Sequence, residues 1–468
     1  MSPVFLRNTH AETNSRIHEK DNHEDRTYIS QTKPTLEGLP TELLIVILLG
    51  IPDQSDLKSI VLSSPDVYQA YLTARPEILG SMVTALFGPL LGEGILAIRS
   101  RGLVFADREE DAIALLDTWR RKDEIKQAAS TSLKRIDVVD NVQESLALFR
   151  FHSQLEFFLA DYATNAPRPA WITETDWASC FIPMSFSHTE KHRFLRAMCR
   201  LQTLANIFGT PETTPKPGLR KQNTNNWVKY GYGDYHARCN RMREVYRLFF
   251  GTMPPWEYSE MGCIWSYLLP KFRPFYDDIL ESLREFLKNT PSTEPCINDD
   301  FHFIAHDALP PISPYISTVS NLESWVREDG GGTESLLEIG PDFLYRVLHT
   351  TFLPRRDMIL TNIQEWSEAL IGDRVRDIIE PSEEAIVPLI EPADKHSNEN
   401  YEELWSSLPS TETPNKAWKK SHILPEFPGQ TFEGAIFDMG YMKGWKWGFA
   451  IWDDERLEVW KAPVLFQE

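Results

Sequence analysis

At 468 residues with a formal charge of −20, the chain is longer than one typical domain and strongly acidic. The negative charge argues against nucleic acid or an anionic membrane as a partner of the whole protein, because both would repel it. The five cysteines are scattered without a CxxC pair, no Asn-x-Ser/Thr acceptor occurs, and no apolar segment at the start resembles a signal peptide. We therefore expect reduced thiols and a cytoplasmic or nuclear protein, not a secreted one.

The first 34 residues are polar and rich in Asn, His, Thr and Ser. They carry too few apolar side chains to offset the entropy that is lost on ordering. We expect a disordered leader over residues 1–34. Over residues 35–89 we expect short amphipathic helices, broken at Pro52, Pro65 and Pro76.

The stretch LEGLPTELLIVILLGIPDQSDLKSIVLSS, residues 36–64, holds the most apolar run in the chain. The run over residues 43–51 is too short for a membrane span of about 20 residues. Its apolar spacing of three and four predicts a helix with Pro40 at the first position. A second apolar set lies on the opposite side of this helix: Ile45, Val46 and Leu49. Such a helix must be covered on both sides.

Two further short helices follow. The second has Asp53 or Ser55 as its N-cap and places Leu57 and Ile60 on one face, and the third starts at Pro65. Three short helices cannot cover one another fully. The remaining apolar surface must therefore be buried by another part of the chain or by a partner.

The pattern Leu-Pro-x-Glu-Leu-Leu-x-x-Ile-Leu, a short gap and then Ser-Asp-Leu-x-x-Ile resembles an F-box. The F-box is a compact helical module that binds the Skp adaptor of cullin-based ubiquitin ligases. The resemblance implies adaptor contacts through these side chains: Leu39, Pro40, Leu43, Leu44, Ile47, Leu48, Ile51, Leu57, Ile60 and Val61. The sequence departs from many F-boxes at LSSPDVYQAY, which lacks the basic residue that they carry there.

The resemblance implies the substrate-recognition subunit of an SCF-type ubiquitin ligase. Such a subunit docks on the Skp adaptor, reaches a cullin through it, and recruits a protein substrate, here unknown, for ubiquitination. We expect no catalytic residue, no metal and no cofactor. The chain is similar to F-box proteins of filamentous fungi, whose C-termini often carry the pairs Trp-Gly, Trp-Asp and Arg-Leu that occur here at 447–448, 452–453 and 456–457. An F-box-like interaction protein that acts outside a ligase is the alternative.

Helical periodicity continues beyond residue 90 and predicts an irregular helical body over residues 90–379. The segments with the clearest pattern are 107–126, 138–164, 188–208, 235–250, 273–287, 342–351 and 357–379. Residues 380–425 are acidic and rich in proline, which predicts a linker. The predicted fold class is therefore mainly α, with an N-terminal three-helix module before the body.

The last forty residues change period. Trp445, Trp447, Phe449 and Ile451 alternate along the chain, and Leu457 and Val459 resume the alternation after a polar turn at 453–455. A period of two is typical of a half-buried strand. Together with GAIFDMGY before it, the pattern predicts a small antiparallel β meander over residues 426–468, packed on the helical body.

Two His-x-x-x-His pairs have the spacing of metal ligands on a helix: His188 with His192, and His302 with His306. Neither pair has a convincing third ligand, so ordinary surface or core histidines are the favoured interpretation. An unrecognised metal-dependent enzyme, with its site near His302 and Asp307, is the less favoured alternative. The aromatic residues between 227 and 276 are dense enough for an interface, but core packing is the more common role of such a stretch.

Overall fold

The computed structural model describes residues 36–121, 136–213, 245, 248–289, 331–363, 408–409, 411–422 and 444–463. Across these residues the chain is helical with connecting turns and contains no strand, so the prediction of a mainly α protein is confirmed. The helices, numbered α1 to α15, are Thr41–Leu49, Gln54–Ser63, Pro65–Thr73, Arg75–Phe87, Leu91–Arg99, Glu109–Arg120, Val142–Asn165, His188–Phe208, Pro255–Leu268, Arg273–Asn289, Gly331–Leu337, Pro341–His349, Phe352–Asn362, Lys416–His422 and Asp454–Val459.

The first three helices begin and end where their local sequence dictates. Pro40 immediately precedes α1, one position earlier than the sequence predicted, and Gly50 follows its last residue. The Asp53 carboxylate caps α2 by accepting hydrogen bonds from the backbone N–H groups of Ser55 and Asp56 at 2.7 and 3.2 Å. Pro65 occupies the first turn of α3, where its missing N–H costs nothing.

Helices α4 and α5 together form a long apolar part of the described chain. The 25 residues from Arg75 to Arg99 are the one helical run among the described residues that is long and apolar enough to cross a membrane. The apolar 18-residue window within this run is 61% buried inside the protein, and the run is interrupted at Gly88, whose φ of +52° is unfavourable for other residues. Helix α4 packs on α7 and α5 packs on α8, so the run forms part of the core.

Helix α8 runs through the centre of the body. A capping box at its start fixes the N-terminus, because the Ser187 hydroxyl accepts from the Glu190 N–H while the Glu190 carboxylate accepts from the Ser187 N–H. Nearly all of its side chains are buried, and it packs against α5 and α9. The helix predicted at 188–208 therefore has the bounds that the spacing indicated.

A network of charged side chains crosses the core between α5, α8 and α9. Arg196 binds Glu257 and Glu260, each at 2.7 Å, and Arg200 binds Glu93 at 3.1 Å and also contacts Glu257. Burial would raise the pKa of Glu257, but the two guanidinium groups outweigh burial and hold that pKa below its usual range. Three carboxylates thus face two guanidinium groups inside the body.

The described part of the C-terminus corrects the predicted β meander. Residues 444–445 are helical, residues 446–452 form turns and a bend, and α15 follows, so the strand assignment of Trp445, Trp447, Phe449 and Ile451 is wrong. Leu457 and Val459 lie in α15, where Leu457 is buried and Val459 is exposed. Burial does not alternate along this segment either, because residues 448–452 are all buried. GAIFDMGY, at 434–441, lies outside the described residues.

Buried polar contacts attach this C-terminal segment, residues 444–463, to α8. Arg193 donates to the Ile451 carbonyl at 3.1 Å and to the Asp453 carboxylate at 2.9 Å. Asn415 donates to the carbonyl oxygens of Phe449 and Trp452 at 2.6 and 2.8 Å. The segment is therefore an integral part of the core.

An aromatic stack completes this attachment. The Trp452 ring lies 5.4 Å from that of Tyr162 on α7 with only 4° between their planes. Helix α14 falls within the stretch predicted as a linker, and its Trp418 is 1% exposed. The end of that stretch is therefore packed on the body as well.

Candidate interaction surface

Helix α1 has one side in the core and one side in solvent. Leu44 and Leu48 are 3% and 1% exposed and face α3 and α4. Leu43, Val46 and Ile47 are 50%, 64% and 39% exposed, and their spacing of three and four places them on one face. We call these three residues the α1 stripe.

Helices α2 and α3 also have one side in the core and one side in solvent. Leu57 and Val61 of α2 are buried, whereas Leu62 is 70% exposed. On α3, Tyr68 and Leu72 are exposed and lie one turn apart, and the other side of that helix packs on α1 and α2. The three helices bury their mutual contacts and leave apolar side chains outside.

The structure divides the ten side chains that the F-box resemblance singled out into three groups. Buried in the core are Leu44, Leu48, Leu57 and Val61; half-buried at its edge are Leu39, Ile51 and Ile60; exposed are Pro40, Leu43 and Ile47. Only the last group and the half-buried edge are accessible to a partner in this conformation.

Five exposed apolar residues of α1–α3 were outside that set: Val46, Leu49, Leu62, Tyr68 and Leu72. The sequence could have added Val46 to the predicted contact residues, because it lies three residues after Leu43 on the same helical face. Each of the others directly follows an apolar residue, and the sequence does not show which side of its helix meets solvent, because that depends on packing against the rest of the fold.

The α1 stripe is unusual for a protein surface. Scattered exposed apolar side chains are normal, whereas the α1 stripe places three of them side by side on one helix face. Complete burial of a large aliphatic side chain is worth about 1.5–3 kcal/mol, so covering the remaining exposed part of all three would contribute about 3 kcal/mol. That gain is sufficient to matter in a complex.

The same helices are acidic where they meet solvent. Over the fully described residues 41–73, the exposed charges are the carboxylates of Glu42, Asp53, Asp56 and Asp66 and the ammonium group of Lys58. Hydrogen bonds from the Ser55 hydroxyl and from the N–H groups of Asp56 and Ser55 lower the pKa of Asp53. All four carboxylates lie at or near helix N-termini, where the helix dipole favours negative charge.

The histidine pairs supply no metal centre in the part of the chain that is described. His188 is exposed and His192 is buried one turn later, and no group of three potential ligands comes together among the described residues. His302, His306 and Asp307 lie outside the described residues. Burial, and next the nearby Arg196, lower the pKa of His192 to about 4, so this imidazole is neutral at pH 7.

The dense aromatic stretch belongs to the core as far as it is described. Its buried members are Trp256, Tyr258, Trp265, Tyr267 and Tyr276. The aromatic residues between 227 and 246 lie outside the described residues. The arrangement of α9 and its neighbours therefore favours the core interpretation for the described half of this stretch.

No protein-family model, no curated protein and no solved structure matches the chain. The described residues themselves show a mainly helical protein whose first three helices leave the α1 stripe exposed.

Proposed function

We propose that this protein is an F-box substrate-recognition subunit of an SCF-type ubiquitin ligase. Its module α1–α3 docks on the Skp adaptor, which connects it to a cullin, and its helical body recruits a protein for ubiquitination. The observation that carries the proposal is the α1 stripe, because it lies within the Leu-Pro-x-Glu-Leu-Leu pattern and is exposed in the isolated chain.

The two sides of α1 have separate tasks in this proposal. Leu44 and Leu48 hold the helix against α3 and α4, and Leu43, Val46 and Ile47 enter an apolar groove of the adaptor. Helix-in-groove recognition uses anchors at this spacing. The adaptor contacts are therefore reassigned from the buried leucines to the exposed stripe.

The connection of the module to the body supports a positioning role. Helix α4 contacts α1 and α3 on one side and α7 on the other, through buried side chains that include Ile78, Leu79, Met82 and Val83. A module packed in this way holds a fixed orientation relative to the body. A recruited protein would then be held at a defined distance from the ubiquitin carrier, which raises its effective concentration there.

The test is co-purification of the full chain with adaptor and cullin. The variant Leu43→Asn with Ile47→Asn removes two exposed anchors, and we expect at least a tenfold loss of adaptor recovery with unchanged folding. The matched control, Leu353→Asn with Val459→Asn, changes two residues that are 60% and 67% exposed elsewhere and should bind as wild type.

The same experiment separates the alternatives. Adaptor recovered without cullin favours an F-box-like protein that acts outside a ligase. Adaptor retained by the stripe variant at wild-type levels, or absent from the wild-type protein, contradicts the docking proposal.

A further inference from the structure

Gly50 directly follows α1 and continues the exposed face of that helix. It lies seven, four and three residues after Leu43, Val46 and Ile47, which are spacings that bring residues together on one side of a helix. Its backbone N–H still bonds to the carbonyl oxygens of Val46 and Ile47 at 3.2 and 3.1 Å, and Gly50 is itself exposed. The α1 stripe therefore ends at a residue that has no side chain.

Neither the backbone nor the packing of the described chain requires glycine at position 50. Its φ of −84° and ψ of −4° lie at the edge of the right-handed helical region, where residues with side chains also occur. A methyl group on Gly50 would lie 3.4 and 3.8 Å from the carbonyl oxygens of Ile47 and Val46, at ordinary contact distances. By contrast, a methyl group on Gly94 would lie 2.5 Å from the Phe87 ring, so the fold itself explains that glycine.

A glycine at an exposed helix end lowers stability relative to alanine, because it leaves the unfolded chain more freedom. What it provides is close access to the backbone, since helices that pack through side chains stay about 8–10 Å apart. We infer that Gly50 is a contact of the docked adaptor, at which an apolar side chain of the groove rests directly on the α1 backbone. The inference rests on the docking role proposed above and adds the point of closest approach.

The charge and the area of this face favour a groove as its occupant. Glu42, the one charged residue within α1, lies in the first turn, at the end remote from Gly50. The three side chains of the stripe expose about 120 Å² of apolar surface, whereas each partner in a stable dimer covers about 800 Å². Two copies that met along their convex α1 helices would cover little beyond the stripe, but a groove contacts the helix from both sides.

The test measures the affinity of the purified adaptor for the full chain with Gly50→Ala or Gly50→Leu, by isothermal titration. Because an added side chain would hold the groove away from the backbone, we expect binding to weaken about fivefold for alanine and about 30-fold for leucine. The midpoint of urea unfolding should stay the same or rise in both variants. If Gly50 faced open solvent in the complex, the leucine would instead lengthen the stripe and strengthen binding.

Gly80→Ala is the matched control. A methyl group on Gly80, within α4, would meet no atom of the described chain within 4 Å other than its own helix backbone. This variant should also keep or raise the midpoint of unfolding, and it should bind the adaptor as the wild type does. An equal loss of affinity in Gly80→Ala and Gly50→Ala would refute a contact at Gly50.

The outcomes separate this inference from the proposed function. Wild-type affinity in both Gly50 variants, or tighter binding of Gly50→Leu, overturns the contact alone if Leu43→Asn with Ile47→Asn still loses the adaptor. Absence of adaptor binding by the wild-type chain overturns both proposals. A homodimer that Gly50→Leu dissociates would assign the contact to a second copy and so refute the groove.

Discussion

Leu43 and Leu44 are adjacent leucines with opposite environments, and the two alanine substitutions at these positions should behave differently. Leu44 is 3% exposed and lies on the side of α1 that packs against α3 and α4, whereas Leu43 is 50% exposed. Neighbours in a helix point about 100° apart, which places one in the core and the other at the surface. The substitution at Leu44 should therefore affect mainly the stability of the fold, and the substitution at Leu43 mainly the binding of a partner.

The expected magnitudes follow from burial. Leu44→Ala leaves a cavity in a packed interface and should lower the free energy of unfolding by about 2–4 kcal/mol. Leu43→Ala removes a half-exposed side chain that contacts little of the chain itself, so its cost should stay below about 1 kcal/mol. Adaptor affinity should fall for Leu43→Ala by about 1 kcal/mol, a factor of roughly five.

Urea unfolding followed by circular dichroism measures the first quantity, and adaptor binding by isothermal titration measures the second. Leu43→Ala should shift the affinity without shifting the midpoint of unfolding. A loss of more than 2 kcal/mol of stability for Leu43→Ala, or of less than 1 kcal/mol for Leu44→Ala, would show that the assignment of the two faces of α1 is reversed.

Three further predictions concern the body. Glu257→Gln removes the carboxylate that binds both Arg196 and Arg200 in the core and weakens a charged hydrogen bond to each, so the unfolding free energy should drop by about 2–4 kcal/mol in urea titration; a change below 1 kcal/mol would contradict the buried network. The pKa of His192 is about 4 when folded and 6.5 when unfolded, so the unfolded chain takes up the proton first and stability falls as pH drops from 6.5 to 4, by about 3 kcal/mol. His192→Gln should flatten this part of the stability–pH curve, and an unchanged slope would refute the buried neutral imidazole. Gly448 has a φ of +79°, so Gly448→Ala should lower the melting temperature through a strain of about 1–2 kcal/mol, and no shift would argue against this backbone conformation.

The sequence predicted the helices well where local signals agree. Helix α8 combines a capping box at Ser187 and Glu190 with a continuous pattern of three and four, and its predicted bounds equal the observed ones. The start of α2 was predicted as Asp53 or Ser55, and the structure selects Asp53. Such signals depend only on residues a few positions apart.

Contacts between distant parts of the chain determine the features that local sequence patterns did not predict. Helix α1 is apolar nearly all round, so its pattern cannot tell which face meets α4 and which meets solvent. At the C-terminus, Trp445, Trp447, Phe449 and Ile451 alternate as in a strand, but the chain forms turns there and buries residues 448–452 consecutively. The ring partners of Trp445 and Trp447 are Tyr258 and Trp171, which lie far away along the chain, and no local pattern records them.

The attachment of residues 444–463 to α7 and α8 has a consequence for the newly made chain. Arg193 and Tyr162 precede Asp453 and Trp452 by roughly 260 residues or more, so these contacts can form only after that stretch has been synthesised. A product of premature termination before residue 444 would lack both contacts and would leave the Arg193 guanidinium without the Asp453 carboxylate.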